Sequence, residues 1–174
     1  GFAKPAAVRI LRLTTVYRMR WRRFPLPPRT LEFAKQNDCQ ILLPLDKGTA
    51  KEFERNATRT NKDFTEIQDD DIIIDAGIKT TERNIDAIRN SRTVIWNGTV
   101  GMAEWQPTWS YGSFAIANAI AEQTRNGQLT SIIGGGDTVA ALVASQTKDD
   151  ITYVSTGGGA FLEFIEGRTL PGIA

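Results

Sequence analysis

The sequence predicts an α/β fold: a parallel sheet flanked by helices, Rossmann-like and three-layered, present as part of a domain. Three observations carry this. Short, continuously apolar, β-branched runs recur along the chain, as strands covered on both faces require. Amphipathic stretches with helical spacing lie between them. Three of the apolar runs end in glycine clusters, and folds of this kind bind ligands at the carboxyl ends of their strands.

The elements follow in order. Thr30 is placed to cap a helix over 31–37. Residues 40–45 read as a first strand, with Cys39 beside it as a buried, inert thiol. Residues 71–75 form a second strand, ended by Gly77. A helix over 81–90 puts Ile85 and Ile88 on one face, and 93–96 is a third strand. Residues 111–123 are helical, with Phe114, Ala117 and Ala121 aligned. A fourth strand at 131–133 leads to a helix over 137–146 that turns Val139, Leu142 and Val143 inward. A fifth strand at 152–154 precedes a last helix with Phe161, Phe164 and Ile165 on one stripe.

Composition narrows the chemistry. The 174 residues hold 21 Lys or Arg, 20 Asp or Glu and no histidine. Without histidine, Ser-His-Asp and Cys-His catalysis and most zinc sites are excluded. A single cysteine excludes an internal disulfide and fits a reducing compartment. No apolar run approaches the roughly 18–20 residues of a membrane span, and no charged-then-apolar leader opens the chain. The charge is uneven: residues 1–30 hold eight basic and no acidic residues, leaving thirteen basic against twenty acidic in 31–174. Pro25, Pro27 and Pro28 break regular structure, so 1–30 reads as a basic Pro/Arg-rich extension and 31–174 as the domain. Arg18, Arg20, Arg22 and Arg23 around Trp21 suggest a nucleic-acid surface. One short charge run is weak support, and nucleic acid is not counted among the partners. Trp96, Trp105 and Trp109 read as core and rim aromatics rather than a base-stacking platform.

The glycine loops carry the chemistry. Ile132-Ile133 runs into Gly134-Gly135-Gly136-Asp137-Thr138, Tyr153-Val154 into Ser155-Thr156-Gly157-Gly158-Gly159, and Ile95-Trp96 into Asn97-Gly98-Thr99-Val100-Gly101. In the first two, a helix follows. Unpaired amides and the positive helix end converge there, and glycine lets an anion approach the backbone. Asp137 is either an N-cap or a Mg²⁺ ligand beside a nucleotide phosphate. The loop is not GxxxxGK[ST], and no lysine follows it. Glu104 on its own reads as a solvated carboxylate.

Taken together, these strings resemble phosphoglycerate kinase: Ile-Leu-Leu-Pro-Leu-Asp at 41–46, Trp-Asn-Gly-x-x-Gly-x-x-Glu at 96–104, Ile-Gly-Gly-Gly-Asp-Thr at 133–138 and Val-Ser-Thr-Gly-Gly-Gly-Ala at 154–160. Leu162-Glu163, Glu166-Gly167 and Leu170-Pro171-Gly172 resemble that family's carboxyl terminus. The resemblance covers roughly 31–174. It implies a two-lobed monomeric enzyme of glycolysis, with 3-phosphoglycerate on the amino lobe and MgADP or MgATP on the carboxyl lobe. This chain is expected to be part of the carboxyl, nucleotide-binding lobe, inactive by itself. The resemblance implies that Gly98 and Val100 line the adenosine site and that Glu104 accepts the ribose hydroxyls. It also implies that Gly135, Gly136, Asp137 and Thr138 hold the phosphates, with Asp137 at Mg²⁺. The amides of Gly136 and Gly159 would stabilise the transferring phosphoryl group.

The departures from the family pattern fall around the base site. Thr99 stands in place of proline, Ala103 of an aromatic, Ile73 of a glycine, Asp75-Ala-Gly-Ile78 of Asp-x-Gly-Pro, and Lys47-Gly-Thr-Ala50 of Val-Val-Thr-Ala. The family's glycine-lysine loop has no counterpart in the 174 residues. Two readings follow: a piece of the kinase, or a non-catalytic nucleotide-binding or interaction module derived from it.

Overall fold

The computed structural model describes residues 8–11, 28–155, 157–165 and 167–169. The strands are β1 (Val8–Leu11), β2 (Asp46–Ala50), β3 (Thr60–Asp63), β4 (Ile72–Ala76), β5 (Thr93–Asn97), β6 (Thr130–Gly134) and β7 (Tyr153–Ser155). The helices are α1 (Pro28–Gln36), α2 (Ile78–Arg89), α3 (Tyr111–Arg125), α4 (Gly136–Ala144) and α5 (Gly158–Ile165). Strands β1-β5-β6-β7 form a parallel sheet in that order, flanked by helices, as an α/β fold requires. Strands β3-β2-β4 form a second, antiparallel sheet.

The parallel sheet is built on apolar runs. Val94 and Trp96 of β5 and Ile133 of β6 are fully buried. They pack with Ile88 of α2, Ile116 and Ile120 of α3 and Leu142 of α4 in one cluster. Each such side chain contributes about 1.5–3 kcal/mol on burial. A smaller cluster joins Ala50, Ile74 and Trp109, with Met102 and Trp105 against it. Trp96 and Trp109 are thus core residues. Trp105 is half-buried and packs on Phe53, with ring centres 4.8 Å apart.

The structure corrects several expectations. Residues 40–45 are not a strand. Pro44 lacks an amide proton, and the amides of Leu45 and Asp46 donate to Thr80 Oγ1 at 2.9 and 3.0 Å instead of to a ladder. Leu43 and Leu45 are exposed, and the strand begins only at Asp46. Cys39 is exposed, not buried. It lies where α1 closes: its amide donates to Ala34 O at 2.8 Å while Asp38 takes φ 50°, a left-handed helix end that leads the chain into solvent. Thr30 sits inside α1 rather than capping it. The helix starts at Pro28, because proline is tolerated in a first helical turn. The strand expected at 71–75 is β4, and it belongs to the antiparallel sheet. Residues 8–11, inside the segment expected to lack regular structure, pair with β5 from Val8↔Thr93 to Leu11↔Trp96. The arginine cluster around Trp21 lies outside the described residues, as do the side chains of Phe161, Phe164 and Ile165.

Helix α2 is fastened from a distance. The buried Asp46 carboxylate accepts from the amides of Lys79 (3.0 Å) and Thr80 (2.8 Å) and from Thr80 Oγ1 (2.8 Å). This supplies the cap that Gly77 cannot, and ties β2 to α2.

Candidate functional site

Parallel register brings the three loops to one edge. Asn97 pairs with Gly134, and Gly134 with Ser155, so β5, β6 and β7 end side by side. The segments after them, carrying Gly98, Gly135 and Gly159, all leave from the carboxyl edge of the sheet.

Two of these loops are joined directly. The Gly98 amide donates to Thr138 Oγ1 at 2.7 Å, and Thr138 is fully buried. Gly98 takes φ 99° and Gly135 takes φ 92°, where a side chain is strained. A Cβ on Gly135 would meet Asn97 Oδ1 at 3.0 Å. Trp96 Nε1 donates to Gly98 O at 2.8 Å and fixes the turn from the core side.

Helix α4 begins at Gly136 with no side-chain cap. Asp137 is therefore not an N-cap. It stands second in the helix, exposed, with no hydrogen bond or ion pair among the described residues. The first-turn amides are left for a ligand, and the helix end is positive. An added Cβ at Gly136 or Gly159 would meet nothing within 4 Å, so the backbone faces open space at both. Among the described residues no group of three His, Cys, Asp or Glu side chains is placed to hold a metal. One exposed carboxylate can ligate a cation that keeps waters and phosphate oxygens as its other ligands, and the open amides beside it can donate to those phosphate oxygens. These residues fit a magnesium–nucleotide phosphate.

The other expected residues stand apart from that edge. Val100 is only 6% exposed and belongs to the core cluster with Trp96 and Ile116. Its amide donates to Ser113 Oγ at 3.1 Å. Glu104 is exposed on the turn that follows. Among the described residues no hydrogen bond joins Glu104 or Gly159 to Asp137 or Thr138. Ile73, Thr99 and Ala103 are buried. Burial pushes the Lys47 ammonium below its usual range, against the pull of Asp75 and Asp46.

A model of the phosphoglycerate kinase family matches residues 22–168. The chain belongs to the phosphoglycerate kinase family. It is 48% identical over 133 residues to the phosphoglycerate kinase of Mannheimia succiniciproducens, covering 76% of this chain and 34% of that protein. It is 44% identical over 143 residues to the phosphoglycerate kinase of Xanthobacter autotrophicus, covering 82% and 36%. The solved phosphoglycerate kinase of Coxiella burnetii superposes with a TM-score of 0.75 at 37% identity, over 83% of this chain and 36% of that one. That of Pyrococcus horikoshii superposes at 0.62 and 24% identity, over 86% and 40%, and shares the fold. The chain spans about a third of the length of the curated phosphoglycerate kinases it matches. Among the described residues, no helix is long and apolar enough to cross a membrane.

Sequence reasoning missed the support behind the loops. Strand β3 was not expected, because Thr60-Asn-Lys-Asp63 is polar throughout. Nor was the buried ion pair between Arg59 Nη1 and Asp75 Oδ2, at 2.6 Å. Its one signal in the sequence is the apolar run that ends on Asp75.

Proposed function

We propose that this phosphoglycerate kinase chain is the ADP/ATP-binding part of an enzyme that transfers a phosphoryl group reversibly between 1,3-bisphosphoglycerate and ADP, giving 3-phosphoglycerate and ATP. The observation that carries the reading is the uncapped start of α4, where open amides at Gly136 and a free Asp137 carboxylate meet the loop after β5 through the Gly98–Thr138 bond. Phosphoryl transfer depends on positioning and charge stabilisation, and backbone amides supply both without a histidine. In this reading Gly135, Gly136 and Thr138 hold the phosphates and Glu104 accepts the ribose hydroxyls. The amides of Gly136 and Gly159 donate to the transferring group. Asp137 holds Mg²⁺, which neutralises phosphate charge when bound with the nucleotide. The buried Val100 shapes the adenosine side from beneath, through the backbone.

Residues 31–174 are the body of the lobe piece, and 1–30 is a basic extension whose residues 8–11 join its parallel sheet as β1. The setting is the cytoplasm, and the chain acts as a monomer with no membrane or nucleic-acid partner. The 3-phosphoglycerate site belongs to the other lobe, so these 174 residues bind nucleotide without turning it over.

Titrating isotope-labelled protein with ADP and Mg²⁺ tests the site. The reading expects the amide resonances of Gly98, Gly136, Asp137 and Gly159 to shift together and saturably. Shifts confined elsewhere, or none, would overturn it.

A further inference from the structure

Arg59 lies just before β3, and its guanidinium is anchored from several directions. Nη1 donates to Asp75 Oδ2 at 2.6 Å and to Thr108 O at 2.8 Å; Nη2 donates to Ala76 O at 2.8 Å. The plane lies over the rings of Trp109 and Tyr111, at 5.6 and 5.4 Å. Asp75 is fully buried at the end of β4 and also accepts from the amides of Ala76 (2.8 Å) and Gly112 (3.2 Å). Three glycines clear the space. A Cβ on Gly101 or Gly112 would overlap the Asp75 carboxylate, and one on Gly48 would crowd the guanidinium at 2.9 Å.

This cluster grips the segment between β5 and α3 at both ends. Gly101 packs on Asp75 near the start, Met102 N donates to Ile74 O at 3.2 Å, and Thr108, Trp109, Tyr111 and Gly112 are held at the finish. That segment carries Glu104. We propose that Arg59 is a positioning residue for the nucleotide loop: by clamping Asp75 and the Thr108 carbonyl together it fixes residues 98–111 against β4.

A stability role alone is a poor account of the pair, because buried ion pairs are often replaceable by apolar groups without loss. A planar fork that reaches three acceptors in two separate segments, β4 and the loop before α3, is a geometric device, and a point-charge lysine does not reproduce it. The inference rests on the nucleotide reading for its consequence, though not for its structural content.

The test uses the full chain, wild type against Arg59→Met and Arg59→Lys. Ile120→Val, which thins the core under α3 without touching the pair, serves as a control for general destabilisation. Hydrogen exchange of residues 98–111 is read relative to β6, and MgADP affinity by calorimetry. For Arg59→Met the loop amides exchange at least tenfold faster relative to β6. Affinity falls about tenfold, within the range that packed networks transmit between sites. Arg59→Lys recovers only part of both, and Ile120→Val changes neither.

A pH profile separates positioning from simple loss of packing. Without Arg59, the groups facing Asp75 are Lys47 of β2 and the amides of Ala76 and Gly112. Burial already pushes the Asp75 carboxyl above its usual range against the pull of Arg59, and loss of the guanidinium pushes it further. Loop protection in Arg59→Met therefore recovers in part as pH falls, at a higher pH than any change in wild type: protonation removes the stranded charge but does not restore the clamp. Uniform exchange across the variant, or an equal loop effect in Ile120→Val, overturns the proposal. If wild type binds no MgADP, the nucleotide reading fails while exchange and its pH profile still decide the role of Arg59. If Arg59→Met does not fold, the double variant Arg59→Met/Asp75→Asn replaces it. That variant removes the stranded charge, and its loop must still exchange faster than wild type.

Discussion

Replacing Thr138 with valine removes one hydroxyl and keeps the shape. Thr138 is fully buried, and its Oγ1 accepts the Gly98 amide at 2.7 Å. Valine leaves that part-buried amide without its partner; an unsatisfied donor costs about 1–3 kcal/mol when fully buried, and partial exposure puts this one at the low end. In a chain of this size each kcal/mol shifts the midpoint by about 2–4 °C. A loss of about 1 kcal/mol lowers the melting temperature by about 2–4 °C, read by differential scanning calorimetry. Thr138→Ser keeps the hydroxyl and loses a methyl, so it should fall by roughly half as much or less. MgADP affinity should drop in Thr138→Val more than in Thr138→Ser, since the freed Gly98 loop no longer meets α4. If the two variants melt together, the hydroxyl bond does not join the loops and the reasoning fails.

Three further outcomes are expected. Gly101→Ala drives a methyl into the Asp75 carboxylate and should destabilise by about 1–3 kcal/mol or more, whereas Gly127→Ala, at φ 68° with open space around it, should cost about 1 kcal/mol; thermal melts compare them. Burial opposes the charge on Asp71, but the Gln68 amide and the ammonium groups of Lys62 and Lys51 outweigh it and hold its pKa at about 2. A depressed carboxyl pKa gives stability that is present above the unfolded value of about 3.9 and lost as pH falls toward 2, so Asp71→Asn should flatten the acid limb of the melting profile between those values. A coupled assay should find no conversion of 1,3-bisphosphoglycerate and ADP by the purified chain. Any turnover that survives Gly136→Val belongs to a contaminant, and turnover abolished by it would show that the chain has a complete site.

The three glycine loops were legible because strand end, glycine run and helix start are local features. Parallel register then places them together without further information. The helices over 81–90, 111–123 and 137–146 were legible from apolar spacing, and their boundaries moved by a few residues. What stayed hidden depends on distant partners. Residues 40–45 are as apolar as a strand, yet Pro44 and Thr80 divert their backbone. Asp46–Ala50 looks too polar for a strand, but its polar groups are spent on α2 and β3: Asp46 on α2, and Thr49 Oγ1 on Thr60 O at 3.1 Å. Strand β1 is four residues within an arginine- and proline-rich segment, and pairing to β5 alone defines it. Arg59 carries no local mark, since the three acceptors that anchor it are 16, 17 and 49 residues away in sequence and its near partner, Asn61 Oδ1, is at 3.4 Å.

In the proposed site, Asp137 and the open amides at the start of α4 hold a magnesium–nucleotide phosphate. Calorimetric titration with ADP, with and without Mg²⁺, on wild type and Asp137→Ala tests it most directly. Wild type should bind saturably, and binding should weaken markedly when Mg²⁺ is removed. Asp137→Ala should bind ADP equally weakly with or without the metal. Equal affinity of wild type in both conditions, or an unchanged magnesium response in Asp137→Ala, would contradict it.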